Sequence, residues 1–466
     1  MIKATLLTPL FAPLLSLAIA SPVMAYGVAS GGKTGINKSG TNAFSQPAGN
    51  LPMSDRLDFS VGNSFFRNPW VQAPASTDAR DGLGPLFNTN GCQNCHIKDG
   101  RGHPPEEGEV QTVSMLIRLS VPASSDEDKK RLITQGNIPD PTYGAQLQDF
   151  AITGAKPEGK IQITYATHVE TFSDGYTVEL RKPRILISDL NYGPMSENVQ
   201  LSARIAPPMI GLGLLEAIPD SQLLDWQDIN DSNQDGISGK ANQVWDEKQA
   251  KTVIGRFGWK AGQPTLMQQN AAAFNGDLGI TSNIFIEENC TQPQTICQEL
   301  PNGGSPEVSD KILNFVEFYS RHLAVPNRRD TDDKSVIQGQ ALFAQLGCDS
   351  CHKPKAVTKE LTDLPALSKQ TIHPYTDLLL HDMGEGLADN RGEFIANGQE
   401  WRTAPLWGIG YTQEVNKHTY FLHDGRARNL MEAVLWHGGE AQQSKEAVLK
   451  LNQQERDALI RFLESL

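Results

Sequence analysis

The chain has 466 residues, which leaves room for two domains of ordinary size. Its formal net charge of −13 argues against binding to nucleic acid or to anionic lipid, and it is compatible with a basic protein partner. The mean hydropathy of −0.38 and the 28 prolines indicate a loop-rich globular protein.

The first 25 residues have the pattern of a secretory signal peptide. Lys3 is followed by an apolar stretch at residues 4–20 and by Val23-Met24-Ala25, which has the small residues of a cleavage site. We expect cleavage before Tyr26. An uncleaved anchor is the alternative, although the stretch is short and contains two prolines. Because no later segment approaches the length of a membrane span, we predict export to the periplasm without stable membrane insertion.

Two segments share the spacing Cys-x-x-Cys-His: Cys92-Gln93-Asn94-Cys95-His96 and Cys348-Asp349-Ser350-Cys351-His352. Two thiols at this spacing can bond to the two vinyl groups of one haem, and the adjacent histidine can ligate its iron. Paired cysteines also hold zinc, which is the alternative. Since each pair is followed at once by histidine, we predict two covalently bound haem c groups. The four cysteines are the attachment sites, and His96 and His352 are the proximal ligands.

A strand-rich segment separates the two motifs. Apolar residues alternate over residues 160–187, which predicts a β-hairpin with its turn at Asp174-Gly175. An Arg-x-Ala-Pro segment that runs on to Gly-x-Gly occurs at residues 204–213 and again at 402–410, which indicates a duplicated unit. We therefore expect a mainly α fold with two cytochrome c-like haem domains, the N-terminal one enlarged by a small β insertion at about residues 110–200.

The second half of the chain contains the clearest predicted helices. Residues 311–321 form an amphipathic helix before a charged linker at 324–334, and residues 335–346 form the helix that precedes the second haem motif. The last helix begins at Asn452, a residue suited to an N-cap. The predicted division is a signal peptide at 1–25, an N-terminal haem domain at 26–323 and a C-terminal cytochrome c domain at 335–466.

Two features lie outside the haem motifs. Cys290 and Cys297 flank a polar turn in a chain predicted to be exported, so we expect a local structural disulfide. The motif Asp231-x-Asn233-x-Asp235-Gly236 places oxygen atoms at alternate positions before a turn glycine, as in the first half of a calcium loop. Asn242 stands at the twelfth position in place of a glutamate. A calcium site and a metal-free turn therefore both remain open.

These motifs resemble those of the bacterial di-haem cytochrome c peroxidases. Within that superfamily the chain is most similar to the di-haem oxidoreductases, or putative peroxidases, also called thiol oxidoreductases. The matching segments are residues 91–105, 204–218, 255–261, 347–352, 381–389, 401–410 and 421–439. The resemblance implies a periplasmic oxidoreductase of peroxidase type. Electrons from a small donor protein would pass from the C-terminal haem to the N-terminal haem, and peroxide or a protein would be the substrate.

Two alternatives stay open. The chain could be a non-catalytic electron carrier in which both irons have six ligands. Relatives are encoded beside imelysin-like iron-uptake proteins, so the resemblance also suggests such a protein as a partner and a link to periplasmic iron uptake.

The resemblance also proposes a sixth ligand for the C-terminal haem. In the peroxidases that ligand follows a His-x-Gly motif by fourteen residues, and here His423-Asp424-Gly425 places His437 at that position. Met383 is the rival, because thioethers also ligate haem iron. A structural histidine at a helix end is the third reading. Two imidazoles would give a low-spin centre suited to electron transfer.

The N-terminal haem has no sixth ligand that spacing supports. The resembling peroxidases use a distal histidine before the Arg-x-Ala-Pro segment and a glutamate after it, and neither can be placed here. The candidates for acid–base catalysis are His103 and Lys260, whereas Met209 and Glu216 fall in an apolar run typical of a core. Three tryptophans are candidates for an electron relay between the haems: Trp226, Trp259 and Trp436.

Overall fold

The computed structural model describes residues 28–106, 108–109 and 113–466. The predicted signal peptide and its cleavage site lie outside the described residues. Within the described part of the chain, no helix combines the length and the apolar character needed to cross a membrane.

The architecture mixes helices with many small sheets, so the expected mainly α fold of two cytochrome c-like domains is wrong. Helix accounts for 31% of the described residues and strand for 18%. The described residues form thirteen α-helices: α1 (Arg56–Arg67), α2 (Cys92–Cys95), α3 (Asp126–Gln135), α4 (Leu212–Glu216), α5 (Asp220–Trp226), α6 (Leu266–Leu278), α7 (Asp310–Arg321), α8 (Lys334–Gln345), α9 (Gly384–Leu387), α10 (Thr412–Asn416), α11 (Leu430–Leu435), α12 (Gln442–Val448) and α13 (Gln453–Ser465).

The strands of the described residues form six two-stranded sheets. In chain order they are β1 (Leu86–Phe87), β2 (Met115–Ser120), β3 (Phe150–Ala151), β4 (Lys160–Thr171), β5 (Thr177–Ser188), β6 (Gln200–Ile205), β7 (Gln243–Asp246), β8 (Lys251–Ile254), β9 (Ala356–Val357), β10 (Thr371–Ile372), β11 (Leu380–Asp382) and β12 (Glu400–Arg402). The antiparallel pairs are β1 with β3, β2 with β6, β4 with β5, β7 with β8, β9 with β10, and β11 with β12. Strands of two or three residues are too short to show alternation, which is why the sequence pattern missed most of them.

The repeated Arg-x-Ala-Pro segments occupy equivalent places in the two halves. Arg204 lies near the end of β6, opposite Leu116 of β2. Arg402 ends β12, opposite Leu380 of β11. Each segment therefore leaves an antiparallel pair at the same point, which gives the repeat in the sequence a structural counterpart.

The predicted hairpin is confirmed as the long pair of β4 and β5, with its turn at Asp174-Gly175. Near its open end Ile161 and Ile163 are buried, whereas near the tip the buried residue is Leu180. The hairpin thus turns opposite faces to the core at its two ends, as a strongly twisted two-stranded ribbon does.

The tip of the hairpin is held by the C-terminal half of the chain. Arg456 of α13 contacts Asp174 at 2.8 Å, and Lys445 of α12 contacts Glu170 at 2.6 Å. The hairpin therefore links the N-terminal half to the last two helices.

The predicted helices of the second half are confirmed as α7, α8 and α13, with ends shifted by one residue or two. Asn452 caps α13, and Glu455 completes a capping box with it. Helix α13 packs on α8, and Gly339 permits the close approach because a Cβ there would overlap the carbonyl oxygen of Ala458.

The predicted linker after residue 323 is packed against the N-terminal segment. Ala324 and Val325 are fully buried, and the Ala324 N–H donates to the Gln46 carbonyl. The same N-terminal segment also reaches the C-terminal half, where the Ser30 carbonyl accepts from the His373 N–H at 2.8 Å. The expected local disulfide between Cys290 and Cys297 is present.

Candidate haem cavities

The first Cys-x-x-Cys-His motif lies on the wall of a cavity, the N-terminal cavity, whose empty space of about 1790 Å³ includes space open to solvent. Cys92 and Cys95 begin and end the short helix α2, and His96 follows directly. The His96 ring lies 2.8 Å through Nδ1 from the carbonyl of Pro207, in the first Arg-x-Ala-Pro segment. Because a carbonyl can only accept, Nδ1 carries the proton and Nε2 keeps its lone pair for a metal.

The second motif lines another space, the C-terminal cavity, of about 1420 Å³ including space open to solvent. His352 donates through Nδ1 to the Tyr375 carbonyl at 2.9 Å. His437 faces the same cavity and donates through Nδ1 to the Ala433 carbonyl at 2.8 Å, within the turn that ends α11. Met383, the rival ligand, also lines this cavity. The structure therefore brings His352, His437 and Met383 to one space.

The protonation states of the histidines are compatible with haem ligation. Burial lowers the pKa of His96 and of His352 to about 4 and also lowers the pKa of His437, so all three imidazoles are neutral at neutral pH, as iron ligands must be. Burial raises the pKa of Cys92 and of Cys348 to about 12.

The geometry of potential metal ligands points the same way. Among the described residues, one group of three Cys, His, Asp or Glu side chains has its ligand atoms within 4.8 Å of one another, and it consists of Cys351, Asp377 and His381. It takes only one cysteine from one pair, so it is not a zinc site built on a Cys-x-x-Cys unit.

The two cavities share one wall. The residues that line both are Arg101, Trp259, Arg402, Ala404 and Pro405. Trp259 is only 8% exposed and donates from its indole nitrogen to the Ile205 carbonyl at 2.9 Å, which fixes its ring. Of the three tryptophans considered for a relay, Trp226 and Trp436 line neither cavity.

A protein-family model described as "Di-haem oxidoreductase, putative peroxidase" matches residues 25–466. The chain belongs to this family of di-haem oxidoreductases. A search of curated proteins finds no match. Family membership supports haem as the cofactor and oxidoreductase as the class of activity.

In this di-haem oxidoreductase the N-terminal cavity also has a polar wall that the sequence did not predict. Arg118, Arg204, Asp277 and Glu393 line it. Their positions span most of the chain, and they meet because β2 and β6 pair beside α6 and the loop after α9. No local spacing connects them. Only a prediction that β2 pairs with β6 would have placed Arg118 close to Arg204.

The two acids of this wall differ in charge state. Glu393 accepts from Arg204 and from Arg391, each at 2.8 Å, and these guanidinium groups hold its pKa far below the usual range despite its burial. Asp277 is only partly exposed, and its desolvation raises its pKa, against the opposing effect of Arg118 and of the Gln146 amide, which donates to it at 3.0 Å. Glu393 is thus permanently ionised, whereas Asp277 can carry a proton.

The acid–base candidates from the sequence lie outside both cavities. His103 donates through its ring to the Pro104 carbonyl at 2.8 Å and lines neither space. Lys260 is completely buried, contacts Asp389 at 3.0 Å and lies 4.3 Å from the centre of the Trp401 ring. Their positions give neither a direct contact with the N-terminal cavity.

The two residues predicted to lie in the core, Met209 and Glu216, have different surroundings. Glu216 bonds the Leu266 N–H and pairs with Arg321 at 2.6 Å, so its role is structural. Met209 lines the N-terminal cavity.

The proposed calcium loop has its oxygen atoms directed at its own turn. Asp231 accepts from the Gly236 N–H at 3.2 Å, Asn233 accepts from the Asp235 N–H at 2.9 Å, and Asp235 accepts from the Ile237 N–H at 2.9 Å. These bonds are those of an Asx-rich turn. Calcium binding by Asp231, Asn233 and Asp235 stays a prediction.

Proposed function

We propose that this protein is a periplasmic di-haem c-type oxidoreductase that reduces peroxide at its N-terminal haem, with electrons entering at the C-terminal haem. The observation that carries the proposal is an asymmetry between the cavities. The C-terminal cavity is lined by four histidines, among them His352 and His437, the two nominated ligands on different elements; the other two are His381 and His423. Among the described residues that line the N-terminal cavity, the single histidine is His96.

This asymmetry assigns different tasks to the two sites. A haem held by one protein ligand offers an open position for peroxide, whereas two imidazole ligands leave a centre that only transfers electrons. In this proposal Cys92, Cys95 and His96 hold the reactive group, and Cys348, Cys351, His352 and His437 hold the electron-transfer group.

Peroxide reduction consumes two electrons and two protons and yields two molecules of water. Asp277 lies at the edge of the N-terminal cavity, and desolvation raises its pKa, so in this proposal it is the acid that delivers a proton. Glu393 cannot serve this purpose, since Arg204 and Arg391 keep it ionised. Its pairing instead fixes Arg204 on the wall of the cavity, where the guanidinium can donate hydrogen bonds to an oxygen atom of the substrate.

Trp259 is the side chain best placed between the two centres. It is buried in the shared wall, and its indole N–H is fixed by the Ile205 carbonyl. An aromatic ring in this position shortens the path that an electron follows between the cavities. We infer that Trp259, and neither Trp226 nor Trp436, connects the two sites. A small periplasmic redox protein would supply the electrons singly.

The test combines a count of haems with a reaction. The chain is expressed together with a cytochrome c maturation system, and mass spectrometry should give two haem additions. The half-reduced protein is then mixed with hydrogen peroxide in a stopped-flow spectrometer. We expect a fast change in the haem spectrum and consumption of peroxide, both absent in His96→Gly. Two haems without any reaction in either the oxidised or the half-reduced state would identify an electron carrier instead.

A further inference from the structure

Arg101 occupies the wall between the two cavities and lines both of them. It lies five residues after His96, yet its backbone is held by the C-terminal half of the chain. Its N–H donates to the Asn416 side chain at 3.0 Å, and its carbonyl accepts from the His418 ring at 3.1 Å. The residue is therefore placed by both halves at once.

The guanidinium of Arg101 lacks the partners that a buried cation needs. The residue is 6% exposed, and its Nε and Nη1 atoms are buried without a hydrogen-bond partner. No carboxylate among the described residues forms an ion pair with it. Its neighbours are aromatic, with the Trp259 and Phe421 ring centres 5.8 Å and 5.6 Å from Cζ. Contacts of this kind recover only a fraction of the cost of burying a charge.

A neighbouring arginine makes a useful comparison. Arg402 lines the same two cavities, but its Nε donates to the Gly258 carbonyl at 2.9 Å and its Nη1 to the Thr403 carbonyl at 3.1 Å. Backbone carbonyls thus accept hydrogen bonds from Arg402, whereas the Nε and Nη1 atoms of Arg101 have no acceptor. The unused donors point to an anionic group that arrives with the occupants of the cavities, since each haem carries two carboxylates.

We propose that Arg101 is a counter-cation shared by both haems, which neutralises an anionic group from each cavity and raises both reduction potentials. The proposal rests on the two-haem part of the proposed function and not on peroxide chemistry. A fixed positive charge in a low-dielectric wall favours the electron-rich state of any centre close to it. Because Arg101 faces both spaces, its removal must affect both centres, and this distinguishes it from an arginine that serves one haem.

The test is a redox titration of each haem in the anaerobic protein, followed by absorbance and by EPR, without peroxide. Arg101→Gln should move the reduction equilibrium of both haems about tenfold toward the oxidised form, which is about 59 mV for a one-electron couple. Arg101→Lys keeps the charge and should move neither equilibrium by more than about threefold. Arg256→Gln is the matched control: Arg256 is buried and lines only the N-terminal cavity, so the C-terminal potential should stay unchanged.

The count of haems by mass spectrometry precedes the titration, and this separates the two proposals. Two haems in Arg101→Gln with a shift at only one centre, or at none, overturns the shared role of Arg101 and leaves the proposed function intact. If Arg101→Gln does not accumulate with two haems, Arg101→Lys decides: a tenfold shift at either haem overturns the proposal, and unchanged potentials support it.

Discussion

Each of the three histidines nominated as iron ligands has the same second bond. His96, His352 and His437 all donate the Nδ1 proton to a backbone carbonyl, at 2.8 to 2.9 Å. Such a bond fixes the tautomer and the orientation of the ring, so that Nε2 is ready for a metal. A histidine that merely ended a helix would have no need to face the cavity, whereas His437 lines the C-terminal cavity together with His352.

The first prediction separates His437 from Met383. His437→Ala should convert the C-terminal haem from low-spin to high-spin in EPR while two haems remain attached, because the iron loses an axial ligand and not its covalent bonds. Met383→Ala, a change in the same cavity, should leave the spin state as it is. If the methionine variant alone changes the spectrum, the assignment of His437 is wrong.

A second prediction concerns proton delivery by Asp277. Asp277→Asn keeps the size and the hydrogen bond from Gln146 but cannot release a proton, so reaction with peroxide should slow by about 10²–10⁴-fold. The raised pKa of Asp277 means that the wild-type reaction is fastest where the acid is protonated and slows as pH rises through that pKa. Stopped-flow rates measured against pH check both points.

The asparagine variant should lose this pH dependence, while Glu216→Gln, a change outside the cavity, should keep the wild-type profile. A wild-type rate that increases with pH would assign the proton to another group.

Site residues that belong to a motif of fixed local spacing could be predicted from the sequence. Site residues that only the tertiary structure brings together could not. The two haem motifs and the turn at Asp174-Gly175 are local, and the hairpin turn is confirmed. Asp277 and Glu393 belong to α6 and to the loop after α9, and their meeting depends on long-range packing. The mainly α prediction failed outside the predicted insertion, where strands β7 to β12 have only two to four residues and show no clear alternation.

At the scale of elements, the contact between α8 and α13 depends on the absence of a side chain at Gly339. A Cβ there would overlap the carbonyl oxygen of Ala458 and crowd Phe462, so the helices would have to separate. This contact fixes the helix that leads into the second haem motif. The position of the second Cys-x-x-Cys-His motif therefore depends on this one glycine.

The third prediction tests that contact. Gly339→Ala should lower the free energy of unfolding by about 1–3 kcal/mol, since overpacking outweighs the gain in helix propensity. Gly276→Ala is the control, because Gly276 also lies in a helix and its Cβ would meet only ordinary contacts. It should be neutral or stabilising. Chemical denaturation of both variants gives the comparison, and equal destabilisation would contradict the packing argument.

At the scale of the whole molecule, the two halves are joined by more than the linker. The hairpin tip pairs with α12 and α13 through Lys445 and Arg456. The N-terminal segment lies against residues of both halves through Gln46 and Ser30. These contacts are buried or partly buried, so loss of one half exposes surface of the other.

The fourth prediction follows from this arrangement. The full chain should unfold in a single cooperative calorimetric transition, despite a length at which separate domains commonly unfold in steps. Arg456→Ala removes the ion pair with Asp174 and the contacts with the Phe172 and Tyr176 rings. It should lower the transition temperature without splitting the transition. Two resolved transitions in the wild type would show that the halves are independent.

The hydrogen bond between Ser30 and His373 has a consequence for the order in which the chain folds. It joins the beginning of the described chain to a residue that leaves the ribosome more than three hundred residues later. Contacts between such distant positions close large loops and form late, so the N-terminal segment cannot dock until the second half has been made. We expect slow folding, during which both Cys-x-x-Cys-His motifs stay accessible to the enzymes that attach haem.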